Sequence, residues 1–449
     1  MKRLFGTDGI RAVAGESPLD PVTVRRFGAA LAEVLGSAAG HPPRVLLGRD
    51  TRESGPWLAE AVAAGLFSRG ASAVDAGVIT TPGLAHLART GPFEAGVMIS
   101  ASHNPFEDNG LKVFGHDGTK IPDALEAEIE ARILDHGIGD PGASDRKPAE
   151  DRSLTPAYVE FLEGAVSPRG RFAGLKLILD CANGSASAIA PEAFRYHGAD
   201  VAVRAAAPDG RNINLGCGSL HLDALAEEVR RTGRDLGIAF DGDADRALAV
   251  DRKGRVVDGD VILYLLARRM RQTGRLTGDA VVATVMSNFW LEQRLADEGM
   301  RLHRAPVGDK YVLERMVEEN AALGGEQSGH LIVRDRASTG DGILTGLLLL
   351  DTLAQEARPL EAILDGIVPF PQLLVNVRVR EKPDLSRHPV IGPLVREIES
   401  DLAGSGRVLL RYSGTEPLAR VMVEGRDPDA VRRHAERLAG VIRKELGSA

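Results

Sequence analysis

Short apolar runs alternate with amphipathic stretches along most of the chain, a pattern that predicts α/β domains with buried strands and covering helices. Val45–Leu47 reads as strand and Pro56–Phe67 as helix. The helix predicted over Asp123–His136 places Leu125, Ile129 and Ile133 four apart, one buried stripe. Gly137–Arg152, rich in Gly, Pro, Asp and Ser, reads as a linker. Thr155 and Pro156 then predict a helix start, with Thr155 as N-cap and Pro156 in the first helical position. Strands follow at Leu175–Leu179, Leu236–Phe240 and Ala247–Val250. Further boundaries fall near Lys253–Gly254 and Pro369–Phe370–Pro371. The remainder predicts strands Leu373–Val379, Val408–Arg411 and Arg420–Val423, then helix Pro428–Lys444. No low-complexity tract or short repeat is visible, which leaves room for three similar α/β units of divergent sequence.

Length changes this picture little: 449 residues suggest about three domains. Hydrophobic residues at 43% and charged residues at 26% are those of an ordinary globular protein. A net charge of -8 argues against nucleic acid as a partner, because phosphate backbones need a basic footprint. No run is long enough to cross a membrane, and the polar start predicts no signal peptide. Cys181 and Cys217 form no CxxC pair, so a reduced, cytoplasmic setting is expected.

Chemistry concentrates in a few loops. Ser102, in Met98-Ile99-Ser100-Ala101-Ser102-His103-Asn104-Pro105, lies between strand-like Ala95–Ile99 and Leu111–Phe114. Strand, exposed loop, strand suits a nucleophilic hydroxyl, although an ordinary turn has the same signature. Asp241-Gly242-Asp243-Ala244-Asp245-Arg246 places three carboxylates at alternate positions. In an extended segment these share a face and converge on one hard cation such as Mg²⁺; a solvated acidic turn is the alternative. An EF-hand is excluded, because Arg246 and Arg252 stand where Gly and Glu are required. Gly324–His330 mixes glycines with Glu326, Gln327, Ser328 and His330, donors and acceptors suited to a sugar diol. Arg411-Tyr412-Ser413-Gly414-Thr415-Glu416-Pro417, with Arg420, combines hydroxyls and guanidiniums as a phosphate cradle would. Arg11, in Gly6–Arg11, and Lys112 are candidates for charge neutralisation or proton transfer. No Walker loop or GxGxxG occurs, so no nucleotide cofactor is expected.

Taken in order, Gly6–Arg11, Ser102–Pro105, Asp241–Arg246, Gly325–His330 and Arg411–Pro417 resemble the α-D-phosphohexomutase superfamily over essentially the whole chain. Gln327, Asn212-Ile213-Asn214 leading to Cys217-Gly218-Ser219, and Ser338–Gly342 resemble its phosphoglucosamine branch. The resemblance implies three related α/β domains with mixed sheets plus a smaller C-terminal α+β domain. Their expected spans are 1–150 (phosphoserine loop), 151–254 (metal loop), 255–368 (sugar loop) and 369–449 (phosphate-binding domain). It implies that Ser102 carries a phosphoryl group and, with Asp241, Asp243 and Asp245, holds Mg²⁺. Glu326, Ser328 and Arg246 would bind the sugar. Arg411, Ser413, Gly414, Thr415 and Arg420 would bind the non-transferring phosphate, and Arg11, Lys112 and His103 would assist near Ser102. Three positions depart from the expected pattern: Ala12 for Gly, Lys310 for Arg and Ser338 for Thr. Lys310 lacks the bidentate fork.

The implied activity is an intramolecular phosphotransfer interconverting glucosamine 6-phosphate and glucosamine 1-phosphate. It runs through a 1,6-bisphosphate of glucosamine or glucose and feeds UDP-N-acetylglucosamine and cell-wall precursor synthesis. The substrate is a small sugar phosphate, with no nucleic acid or membrane partner, and a homodimer is left open. The nearest alternative is a phosphomannomutase/phosphoglucomutase. A non-catalytic sensor should have lost Ser102 or a metal carboxylate, and a phosphatase using an aspartate nucleophile leaves Ser102 unexplained.

Overall fold

Largely apolar pentamers become central strands, because only a strand covered on both faces can bury every side chain. Ala95–Ile99, Leu236–Phe240 and Ala280–Thr284 are each buried along their whole length. This computed structural model describes residues 4–6, 8–134, 137–356, 358–402, 404–413 and 417–447. The first sheet contains β1 (Ile10–Val13), β2 (Arg44–Arg49), β3 (Ser72–Val78), β4 (Ala95–Ile99), β5 (Asp108–Gly115) and β6 (Ala149–Glu150), in the order β1-β5-β4-β2-β3-β6. The second contains β7 (Lys176–Asp180), β8 (Asp200–Arg204), β9 (Leu236–Phe240), β10 (Ala247–Asp251) and β11 (Val256–Val257), in the order β11-β10-β9-β7-β8. In the third, β12 (Ala280–Thr284) pairs parallel with β14 (Leu323–Gly325), which pairs antiparallel with β15 (Leu331–Val333); β13 (Arg301–Ala305) lies at the far edge.

Local chemistry sets the helix ends. The first helix, Pro21–Ala39, opens with Pro21 and with Asp20 accepting the Val22 and Thr23 N–H groups, and it closes on left-handed Gly40. Val24, Phe27 and Leu31 face the core beneath the first sheet. Two expectations shift. The linker ends in strand, since β6 pairs with β3. The next helix begins at Leu154 with Ser153 as N-cap, two residues before the expected Thr155 cap and Pro156 start, because Asp151 accepts both the N–H and the hydroxyl of Ser153 and fixes the turn there.

The chain divides into two compact units: residues 1–284 with 303–361, and residues 285–302 with 362–449. The second unit holds β16 (Gln372–Arg378), β17 (Gly406–Tyr412) and β18 (Leu418–Gly425) in an antiparallel sheet ordered β16-β18-β17. Helices Ile391–Leu402 and Pro428–Leu446 bury Ile398, Leu438 and Ile442 against it. Every sheet therefore contains an antiparallel strand pair with a chemistry-bearing connection: β4–β5, β9–β10, β14–β15 and β17–β18. This repetition lies in topology.

Candidate active site

Three of those connections meet in the first unit. The loop after β4 carries Ser102, the loop after β9 carries Asp241, Asp243 and Asp245, and the loop after β14 carries Glu326 and Ser328. All three lie past a strand's C-terminal end, where open α/β sheets place their ligands.

Ser102 is not on an exposed loop as its sequence suggests. It is 1% exposed, with a left-handed backbone at φ 54°. Its Oγ donates to Asp241 Oδ2 at 2.6 Å and lies 3.2 Å from His103 Nδ1. Burial, then Arg246 and Arg11, push His103 down to about 4. The ring is therefore neutral near pH 7 and retains an acceptor nitrogen.

The acidic loop also converges differently from expectation. It is a turn, not an extended segment, and left-handed Ala244 (φ 56°) folds the three carboxylates together. Their ligand atoms lie within 4.8 Å of one another and all three residues are buried. Burial, then the carboxylates of Asp245 and Asp243, push Asp241 well above the usual carboxylate range. Among the described residues, Oδ1 of Asp243 and Oδ1 of Asp245 are buried without a hydrogen-bond partner. Buried all-oxygen donors with orphaned lone pairs and mutual repulsion fit a hard divalent cation.

Fixed cations flank the carboxylates. Lys112, on β5 and 1% exposed, places Nζ 2.9 Å from Asp243 Oδ2 and 3.3 Å from Asp8 Oδ2. Burial opposes its charge, but Asp243, Asp8 and Asp245 outweigh burial and raise its pKa. This ammonium suits charge neutralisation and not proton acceptance. Arg11, on β1, pairs with Asp8, and its buried Nε has no hydrogen-bond partner among the described residues. Arg246 sits 3.8 Å from Asp245 through Nε.

Asp8, Lys112, Asp245, His330, Asp309 and Lys120 form a closed ring of alternating acidic and basic groups. Successive contacts are 3.3, 3.9, 3.5, 3.9 and 2.6 Å, and Lys120 closes on Asp8. Burial lowers the His330 pKa, and Asp245, Asp309 and Glu326 more than offset it. The Gly340 N–H, however, donates to His330 Nε2 at 3.1 Å, so in this geometry the ring proton sits on Nδ1, facing Asp245. The donated bond decides the tautomer drawn here, since a protonated ring would have to give it up.

Glu326 accepts the Gly308 N–H at 3.0 Å and the Ser328 hydroxyl at 3.2 Å. Lys310, the departure from pattern, reaches Asp123 at 2.5 Å. In the second unit, Arg411 and Arg420 are direct cross-strand neighbours, and Arg420 approaches Ser413 Oγ at 3.5 Å. Burial, then Arg420, lowers the Arg411 pKa, an arrangement that suits an anion. Lys382 Nζ donates to the Ser413 carbonyl at 2.7 Å. Gly414 and Thr415 lie outside the described residues.

Sequence reading missed Asp8, Thr81, Lys120 and Asp309. Thr81 donates to Asp243 Oδ2 at 2.6 Å. Asp8 was within reach, since it belongs to the same glycine-rich turn as Arg11. Lys120 and Asp309 stand in unremarked charged positions and gain meaning only through contacts between distant segments. Asp50 and Arg52, directly after β2, obey the strand-end rule that singled out Asp241 and were legible on that ground.

Comparison with known proteins places four family models along the chain. Phosphoglucomutase/phosphomannomutase alpha/beta/alpha domains I, II and III match residues 2–137, 156–254 and 258–370, and the C-terminal domain matches 374–441. A phosphoglucosamine mutase of Solibacter usitatus is 50% identical over 446 residues, covering 99% of each chain. One of Deinococcus deserti is 49% identical over 444 residues, covering 98% of each. The solved structure of a phosphoglucomutase/phosphomannomutase family protein from Burkholderia thailandensis aligns with a TM-score of 0.79 at 25% identity, over 98% of this chain and 99% of that one.

Proposed function

This chain belongs to the phosphoglucomutase/phosphomannomutase family of isomerases, and on that premise we propose that it interconverts glucosamine 6-phosphate and glucosamine 1-phosphate. The observation that carries the chemistry is the Ser102 hydroxyl held 2.6 Å from Asp241 inside a buried carboxylate trio. Ser102 carries the phosphoryl group. The O1 hydroxyl of glucosamine 6-phosphate attacks it, the P–Oγ bond breaks, and the 1,6-bisphosphate forms as O1 loses its proton. After the sugar turns end for end, Oγ takes the 6-phosphoryl group, and a proton returns to O6 to release glucosamine 1-phosphate.

Asp241, Asp243 and Asp245, together with Ser102, are the residues that would hold Mg²⁺. When bound, the ion supplies positive charge to the phosphoryl oxygens. Lys112 and Arg11 add fixed charge, and neutral His103 is placed to exchange a proton near Oγ. Glu326 and Ser328 offer acceptor and donor to sugar hydroxyls, with Arg246 beside them. The opposed Arg411 and Arg420, with Ser413, support a site for the non-transferring phosphate. The glucosamine assignment rests on two relatives near half identity. Turnover on glucosamine, glucose and mannose 6-phosphates tests it: glucosamine should be preferred, and a clear preference for glucose or mannose would replace it.

A further inference from the structure

All five N–H donors of Arg52 are used, and four of them go to the loop that carries Ser102. Its side chain is fully buried. Nε donates to Asp50 Oδ2 at 2.9 Å. Nη2 donates to the carbonyls of Ser102 and Asn104, both at 2.9 Å, and Nη1 to those of Asp108, at 3.0 Å, and Pro105. From the second sheet's side, Asn214 Nδ2 donates to the same Ser102 and Asn104 carbonyls at 2.9 and 3.0 Å. Asp50 also accepts the Ser100 hydroxyl at 2.6 Å, and Ser100 Oγ accepts the Ser102 N–H at 2.9 Å. Gly242 completes the enclosure: a Cβ there would lie 2.6 Å from the Ser102 carbonyl oxygen and 2.9 Å from Asn214 Nδ2.

This density of donors has a conformational purpose. Ser102 is held at φ 54°, a region serine adopts only when its surroundings enforce it. Four carbonyls turned toward one point repel one another unless a donor set collects them. A guanidinium fork can do so from one side chain, whereas an ammonium has only three donors in a different geometry. The consequence is a fixed Oγ, and phosphoryl transfer depends on such fixation because in-line attack tolerates little displacement.

We propose that Arg52 and Asn214 are positioning residues for phosphoryl transfer, holding the Ser102 loop from two domains so that Oγ stays aimed at the acidic loop. The inference rests on the mutase reading above. Its test uses the full chain charged with glucose 1,6-bisphosphate and Mg²⁺, comparing wild type with Arg52→Lys, Asn214→Ala and Asn214→Asp. The readouts are kcat and KM for glucosamine 6-phosphate, phosphate on Ser102 by mass spectrometry, and melting temperature. Arg52→Lys should lower kcat roughly 100-fold and Asn214→Ala roughly 10-fold, with KM within about 2-fold of wild type. Asn214→Asp, which faces two carbonyls with a carboxylate, should be worse than Asn214→Ala. If Arg52→Lys fails to fold, the Asn214 variants decide. Folded Asn214 variants with wild-type kcat, or a loss confined to KM or to melting temperature, would overturn the positioning role alone. A wild type with neither turnover nor phosphate on Ser102 overturns the mutase reading and this inference with it.

Discussion

Ser102 Oγ and Asp241 Oδ2 lie 2.6 Å apart although 139 residues separate them. The contact joins the turn after one buried strand to the turn after another, in different sheets. A carboxylate whose pKa is raised by burial and by two neighbouring carboxylates thus touches the hydroxyl proposed to carry the phosphoryl group. At this contact function opposes stability.

Asp241→Asn should relieve the repulsion. In the presence of a chelator the variant should melt above wild type, because a neutral amide replaces a buried charge facing Asp245 and Asp243. Its kcat should fall by at least about 100-fold, on the scale of losing one preorganised electrostatic group. Calorimetry and steady-state kinetics on the same preparation check both. A variant that melts lower under chelation contradicts the repulsion.

Removing divalent metal should abolish turnover, and Mg²⁺ should restore it. The same titration should raise the melting temperature, since a ligand that binds only the folded state stabilises it by mass action. Asp245→Asn should lose most of that rise, because Oδ1 of Asp245 is one of two orphaned acceptors in the trio. An equal rise in the variant would place the ion elsewhere.

Asp341 predicts a pH dependence of stability away from the reacting groups. It caps the helix Gly342–Leu353 through the Leu344 N–H and accepts the Tyr158 hydroxyl at 2.8 Å. Burial raises its pKa from 3.8 to about 6. The folded state therefore binds the proton more tightly than the unfolded state. Stability from this group is fully present below pH 3.8 and is lost as pH rises through about 6. The whole effect is at most about 3 kcal/mol. Asp341→Asn keeps Oδ1 as acceptor for the Leu344 N–H, presents an amide donor to the Tyr158 oxygen in place of Oδ2, and removes the ionisation. Its stability relative to wild type should grow between pH 4 and 7, as followed by urea unfolding. A difference that does not change with pH would contradict the assignment.

The Lys120–Asp309 pair, at 2.6 Å, ties the segment after β5 to the first turn of the helix Asp309–Glu318. Both side chains are under one-fifth exposed. Lys120→Met leaves Asp309 and Asp8 short of a partner and should cost about 1–3 kcal/mol, more than an exposed pair. Adding Asp309→Leu should recover part of that loss. A double-mutant cycle with no coupling would show that the ring of charges does not act as a unit.

Much of the architecture was legible because the central strands β4 and β9 are continuous apolar runs and the Ser102 and Asp241 loops follow them, whereas Gly324 and Gly325, read as loop, end strand β14. Leu236–Phe240 was read with the residue bounds it has, and Asp241 followed at once. What sequence misjudged was conformation inside the loops. Ser102 looked exposed because turns usually are; it is buried, with Arg52 and Asn214 from distant segments donating to its carbonyl. The three aspartates were expected to converge by strand alternation and converge through left-handed Ala244 instead. Asp309 and Lys120 carried no local signal, since their value lies in contacts that only the folded chain creates.

In each turnover Ser102 gives its phosphoryl group to O1 and takes another from O6. The direct measurement supplies glucosamine 6-phosphate carrying ¹⁸O in its phosphoryl oxygens to the Mg²⁺-loaded enzyme, quenches within one turnover, and weighs the peptide containing Ser102. Transfer through Ser102 should leave labelled phosphate on Ser102 and unlabelled phosphate at O1 of the first product. Glucosamine 1-phosphate that keeps the label while Ser102 stays unlabelled would contradict it.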